Sequence, residues 1–99
     1  MKWIYQQPDK KKGDYWFAGR CIATAGISNE ISMEELRAIA QDVHNKAFTF
    51  GGIDYLQKYV HEDTKRVVWI IDQVTRSSLK NGDHPPEHNY FTILFPEEY

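Results

Sequence analysis

Cysteine occurs once, at Cys21, so the chain can close no internal disulfide and build no thiolate zinc cage, a composition that suits a reducing compartment. Charge of one sign is also missing: 12 Lys and Arg against 14 Asp and Glu leave a formal net charge of -2. There is no overall basic field for sequence-independent binding to phosphate backbones, and far too little acid for strong overall DNA mimicry. Nucleic acid is therefore not expected as a partner. No apolar run approaches a membrane span, and the opening Met1-Lys2-Trp3-Ile4-Tyr5-Gln6-Gln7 turns polar too quickly for an export signal. A cytoplasmic protein with no membrane attachment is expected. Glycine-rich phosphate loops are absent as well, since Gly51-Gly52 lacks the lysine and the spacing of a P-loop. No cofactor is expected.

What the chain does have is Val67-Val68-Trp69-Ile70-Ile71-Asp72-Gln73-Val74, β-branched and aromatic with almost no polar relief. It reads as a central strand, apolar on both faces. With 99 residues, 41% hydrophobic and 26% charged, the chain fills one core, so residues 1–99 form a single domain organised around this strand.

In chain order, Trp3-Ile4-Tyr5 is a short first strand halted at Pro8, and Lys10-Lys11-Lys12 sits in a solvated loop. Tyr15 to Thr24 reads as a strand with Trp16, Ala18, Arg20, Ile22 and Thr24 on one face, and Gly19 marks a bulge or a close backbone approach. Ala25-Gly26-Ile27-Ser28-Asn29 breaks it. Ser32 and Glu35 then form a capping box, and Leu36, Ile39, Ala40, Val43 and Ala47 follow helical spacing, which predicts a helix over 33–47. Phe48 and Phe50 cover the core edge while Gly51 and Gly52 stop the helix. Residues 55–61 alternate as a strand, and Glu62-Asp63-Thr64-Lys65 turns it antiparallel into 66–74. One helical turn fits between Thr75 and the Gly82 stop. Tyr90 to Phe95 is the last strand, placed in the sheet interior beside Val67–Val74.

Asp83, His84, Glu87 and His88 carry imidazole and carboxylate, which are metal-ligand chemistry. Their spacing matches no established motif and Pro85-Pro86 forbids a helical face, so the segment reads as a polar loop and no metal is expected.

The turn Thr24-Ala25-Gly26-Ile27, the strand start Asp54-Tyr55-Leu56-Gln57 and the ending Thr92-Ile93-Leu94-Phe95-Pro96-Glu97-Glu98-Tyr99 resemble patterns in small uncharacterised proteins of phages, plasmids and other mobile elements. Ala25 stands where one such group carries arginine, so that residue's role does not transfer. The resemblance supplies no catalytic residue. It implies a setting in which small proteins inhibit or decoy host machinery, restriction and CRISPR-type defences included.

Three functions compete. The first is a non-catalytic inhibitor that binds a host protein, a defence nuclease or complex for example, through aromatic and arginine anchors such as Trp16, Tyr55, Tyr59 and Arg76. Against it, aromatics also fill small cores, and for Trp16 that is the preferred reading. The second is a small-molecule or nucleotide-signal binder that stacks a base on Tyr59 or Trp69 and holds phosphate with Arg20, Arg66 or Arg76. The third is an enzyme pairing His61 with Asp72, Glu62 or Asp63. For Asp72, pairing with Arg20 or Arg76, or emergence into solvent, is preferred over catalysis. The expected fold is α+β, a largely antiparallel sheet of four or five strands with one main helix on one face. One helix cannot cover two apolar faces, which predicts a homodimer.

Overall fold

The computed structural model describes residues 1–82 and 85–99. Five strands build one sheet: β1 (Trp3–Gln6), β2 (Arg20–Ala23), β3 (Leu56–His61), β4 (Val67–Asp72) and β5 (Tyr90–Leu94), in the spatial order β1-β3-β4-β5-β2. The β1/β3, β3/β4 and β4/β5 pairs are antiparallel, and β2 joins the β5 edge in parallel. Helices α1 (Ala25–Glu30), α2 (Met33–Phe50) and α3 (Arg76–Asn81) complete the α+β fold, with single 3₁₀ turns at Pro86–His88 and Pro96–Glu98. No helix among the described residues is long and apolar enough to cross a membrane.

The β3–β4 hairpin forms where alternation placed it. Its turn closes by His61 N–H to the Arg66 carbonyl at 2.8 Å and Lys65 N–H to the His61 carbonyl at 2.9 Å. Lys65 adopts φ 62, which glycine tolerates far better than lysine. Helix α2 begins as the capping pattern requires, with Ser32 Oγ accepting the Glu35 N–H at 3.2 Å. The Glu35 carboxylate accepts from Ser32 Oγ and from the Trp3 indole N–H, at 2.8 Å, so the cap also ties β1 to the helix.

The helix outruns its expected end by three residues, reaching Phe50 rather than Ala47. Gly51 at φ 70 is the stop, and the Gly51 and Gly52 N–H groups bond the Phe48 and Ala47 carbonyls in a Schellman arrangement. Phe48 and Phe50 consequently ride on the helix surface, 71% and 46% exposed, and do not cover the core.

Tyr15 to Thr24 departs most from expectation, because only Arg20–Ala23 is strand. Phe17 takes φ 51 and turns inward to 1% exposure, and Tyr15 forms an isolated bridge with Ile53. Left-handed backbone at a non-glycine residue costs about 1–2 kcal/mol, an amount that burial of a large aromatic offsets. Gly19 is a close approach, since a Cβ there would lie 2.2 Å from the Asn89 carbonyl oxygen. After it, Ala25–Glu30 is helix, capped by Thr24 Oγ1 accepting the Ile27 N–H at 3.3 Å.

The core lies between the helices and one face of the sheet. Ile27, Leu36, Ile39, Val43 and Ala47 meet Trp3, Tyr59, Val68, Ile70, Phe91 and Ile93 there. Along β4 burial alternates: Val68, Ile70 and Asp72 are buried, whereas Val67, Trp69 and Ile71 on the opposite face are half-buried. Among the described residues that second face carries no α-helix, only the Tyr99 ring after the Pro96–Glu98 turn set against Trp69.

Candidate functional site

Among the described residues, the unsatisfied Asp72 oxygen and the apolar cluster around Trp69 mark two regions on opposite faces of β4. The first is at the end of the strand, where Asp72 follows Val68 and Ile70 onto the core side and is 3% exposed. Its Oδ2 accepts the Phe17 N–H at 2.9 Å, while Oδ1 has no hydrogen-bond partner among the described residues. The Phe17 carbonyl lies 3.3 Å from His44 Nδ1, a donor contact when that nitrogen is protonated, so the left-handed residue is held from both sides. Burial pushes the Asp72 carboxyl up from the ordinary aspartate range, against the opposing pull of backbone N–H groups led by Phe17.

Asp72 lines a cavity of about 370 Å³ with Trp16, Val74, Leu79, Arg76 and Lys80. Local sequence sets up the far wall. Thr75 Oγ1 caps α3 by accepting the Ser78 N–H at 3.1 Å, and the Asp14 carboxylate accepts from Ser77 N–H at 3.0 Å and from Ser77 Oγ. Those Ser77 bonds hold the Asp14 carboxyl below its ordinary value. With α3 clamped to the 14–16 segment, the Arg76 guanidinium lies 4.2 Å from the Trp16 ring centroid, a cation–π contact at the cavity mouth. The site thus offers a buried acceptor, apolar walls and a cationic rim.

The second region is the helix-free face. Ile4, Ile22 and Tyr99 are exposed at 44%, 38% and 81%, around half-buried Leu56, Val60, Val67, Trp69 and Ile71. Tyr99 meets Trp69 edge-on with centroids 5.7 Å apart, and the Lys58 ammonium lies 5.8 Å from the same indole. At the margin Arg66 pairs with Glu97 at 2.7 Å and Glu30 at 3.5 Å, and Lys2 with Asp63 at 2.6 Å.

The residues singled out from sequence are dispersed. Trp16 and Arg76 come together at the cavity, whereas Trp69 belongs to the helix-free face. Tyr55 is 44% exposed beside Tyr15, and Arg20 donates to the Glu87 carbonyl at 3.1 Å on the β2 edge. Tyr59 corrects its expectation as an anchor or stacking platform: it is wholly buried, its hydroxyl donating to Asp42 Oδ2. Arg66, weighed for phosphate, is already ion-paired.

Asp72 likewise neither reaches solvent nor forms an ion pair with Arg20 or Arg76. His61 and Asp72 sit at opposite ends of the hairpin, and His61 Nδ1 accepts the Asp63 and Thr64 N–H groups, so this pair does not converge for acid–base work. The considered ligands Asp83 and His84 lie outside the described residues, and among the described residues no group of three or more His, Cys, Asp or Glu could hold a metal. Ile4, Ile22, Leu79, Lys80 and Tyr99 are not legible as site residues in the sequence, because the β1/β3 and β2/β5 pairings, the α3 clamp and the folded-back end bring them there.

Comparison of the chain with family models, curated proteins and solved structures gives no match.

Proposed function

We propose that the protein acts by binding another protein, as a non-catalytic inhibitor or decoy of the phage and mobile-element kind directed at host machinery such as a defence nuclease or complex. The observation that carries this reading is the helix-free face, an apolar surface centred on the Trp69–Tyr99 pair. Aromatic residues framed by apolar neighbours are the usual energetic centre of protein interfaces. The margin supports the same reading, since Arg66, Glu97, Glu30, Lys2 and Asp63 are paired within the chain. A partner is then selected by apolar shape rather than by opposite charge.

The occupant assigned to this face is a host protein with an apolar, aromatic-accepting patch. In the free protein the same face closes on a second copy, because a two-fold interface sets like against like and this mainly apolar surface, with Lys58 over the Trp69 indole, buries its aromatic centre in that way. Light scattering should give twice the 11.6 kDa chain mass for the free protein. The double variant Ile4→Asp/Tyr99→Ala, at two exposed positions, should be monomeric and should lose a stoichiometric host partner that the unaltered chain retains. A monomeric unaltered chain together with no variant-sensitive partner would overturn the reading.

A further inference from the structure

The cavity beside Asp72 lies on the other side of β4 from the docking face and calls for its own explanation. A buried carboxylate oxygen without a hydrogen-bond donor is costly, and native folds rarely leave one without a use. Asn in place of Asp72 would keep the shape and remove the charge, yet the chain holds a carboxylate there and spends a left-handed Phe17 to position it. The adjoining space, about 370 Å³, falls in the range of small-molecule sites and far exceeds the share of one water, about 30 Å³. Its two ends differ in chemistry. Asp72 is the buried acceptor, Val74, Leu79 and Trp16 supply apolar wall, and the exposed Arg76 and Lys80 bring positive charge to the rim.

We propose that this cavity is a binding site for a small ligand with N–H donors at one end of a flat apolar body and an anionic group at the other. The donors meet the free Oδ1 of Asp72, and the anion lies against Arg76 and Lys80. A guanine nucleotide has this chemistry, its amide and amino N–H groups forming the donor edge and its phosphate the anion. Arg76 already rests on Trp16, so its guanidinium is partly ordered before a ligand arrives, and less freedom is lost on binding.

Titration calorimetry with guanosine monophosphate, guanosine, L-phenylalanine and inorganic phosphate tests the site on the full chain. The proposal predicts that guanosine monophosphate binds at least tenfold more tightly than guanosine, phosphate or L-phenylalanine, whose ammonium and carboxylate share one end. Asp72→Asn should weaken guanosine monophosphate at least tenfold. Should that variant fail to fold, Arg76→Gln/Lys80→Gln serves instead and should bring guanosine monophosphate down to the affinity of guanosine. Ile4→Asp/Tyr99→Ala should leave these affinities unchanged, which separates this site from the protein-binding face. No binding of any probe at millimolar concentration, phosphate binding as tightly as the nucleotide, or variants that bind like the unaltered chain would each overturn the assignment.

Discussion

Thr24 and Glu98, 74 residues apart, share a hydrogen bond of 2.7 Å from the threonine hydroxyl to the carboxylate. The same carboxylate accepts the Phe95 N–H at 2.9 Å, and a Cβ on Gly26 would come within 2.8 Å of its other oxygen. The Thr24-Ala25-Gly26-Ile27 turn and the Glu97-Glu98-Tyr99 ending, two of the segments that carry the resemblance to mobile-element proteins, are therefore one structural unit. It caps α1 and folds the chain end back so that Tyr99 reaches Trp69.

Thr24→Val should remove both the helix cap and the Glu98 partner while keeping volume. Loss of a cap costs about 0.5–2 kcal/mol, and denaturant unfolding should show a loss of that size. The Phe95 N–H and Thr24 bonds hold the Glu98 carboxyl below its ordinary value. A depressed acid stabilises the fold above its unfolded pKa and ceases to do so as pH falls through the folded one. Acid should thus loosen the chain end, and Glu98→Gln should remove that part of the pH dependence.

At the β3–β4 turn the prediction runs the other way. Lys65 holds φ 62 with its ammonium on the Glu62 carbonyl at 2.8 Å, an exposed contact. Lys65→Gly relieves about 1–2 kcal/mol of left-handed strain and gives back part of it through the greater freedom of glycine in the unfolded chain. A net gain of up to about 1 kcal/mol is expected, read as a higher denaturant midpoint at unchanged slope.

Local signals account for what is legible in the sequence. Ser32 and Glu35 cap α2 within one turn of chain, and the β3–β4 hairpin joins neighbours across a short polar turn, so both could be read directly. Phe17 could not, because its left-handed backbone answers to Asp72, 55 positions away. Helix α1 was hidden by Gly26, whose reason is the packed Glu98 carboxylate rather than a turn. The parallel seat of β2 beside β5 follows from a long crossover that no local pattern encodes. For the site, alternation groups Gln57, Tyr59 and His61 but does not say which face is buried, so it does not separate a surface Tyr59 from the buried one the fold holds.

Tyr59 yields a spectroscopic prediction. Burial, with Asp42 beside it, pushes its hydroxyl strongly up from the ordinary phenol range. In a spectrophotometric alkaline titration at least one tyrosine should stay protonated until the chain unfolds. Tyr59→Phe should remove that late step. It should also destabilise the fold by about 1–3 kcal/mol, since the Asp42 carboxylate loses its buried donor and keeps Lys46 at 3.0 Å as its remaining partner.

Asp72 should show the opposite linkage to Glu98. Its carboxyl is raised by burial, so the folded state holds a proton more tightly than the unfolded chain does. The raised group contributes stability that is fully present below the unfolded aspartate value of about 3.9 and is lost as pH climbs through the folded one. Asp72→Asn, uncharged at every pH and able to accept the Phe17 N–H through its amide oxygen, lacks that dependence. Its advantage over the unaltered chain should be greatest at neutral pH and shrink as pH is lowered toward about 4. Denaturant unfolding of both proteins at several pH values measures the difference. A variant less stable than the unaltered chain by the same amount at every pH would mean that the carboxylate oxygen has a donor in the folded protein, and that its solitude is not what sets the site apart.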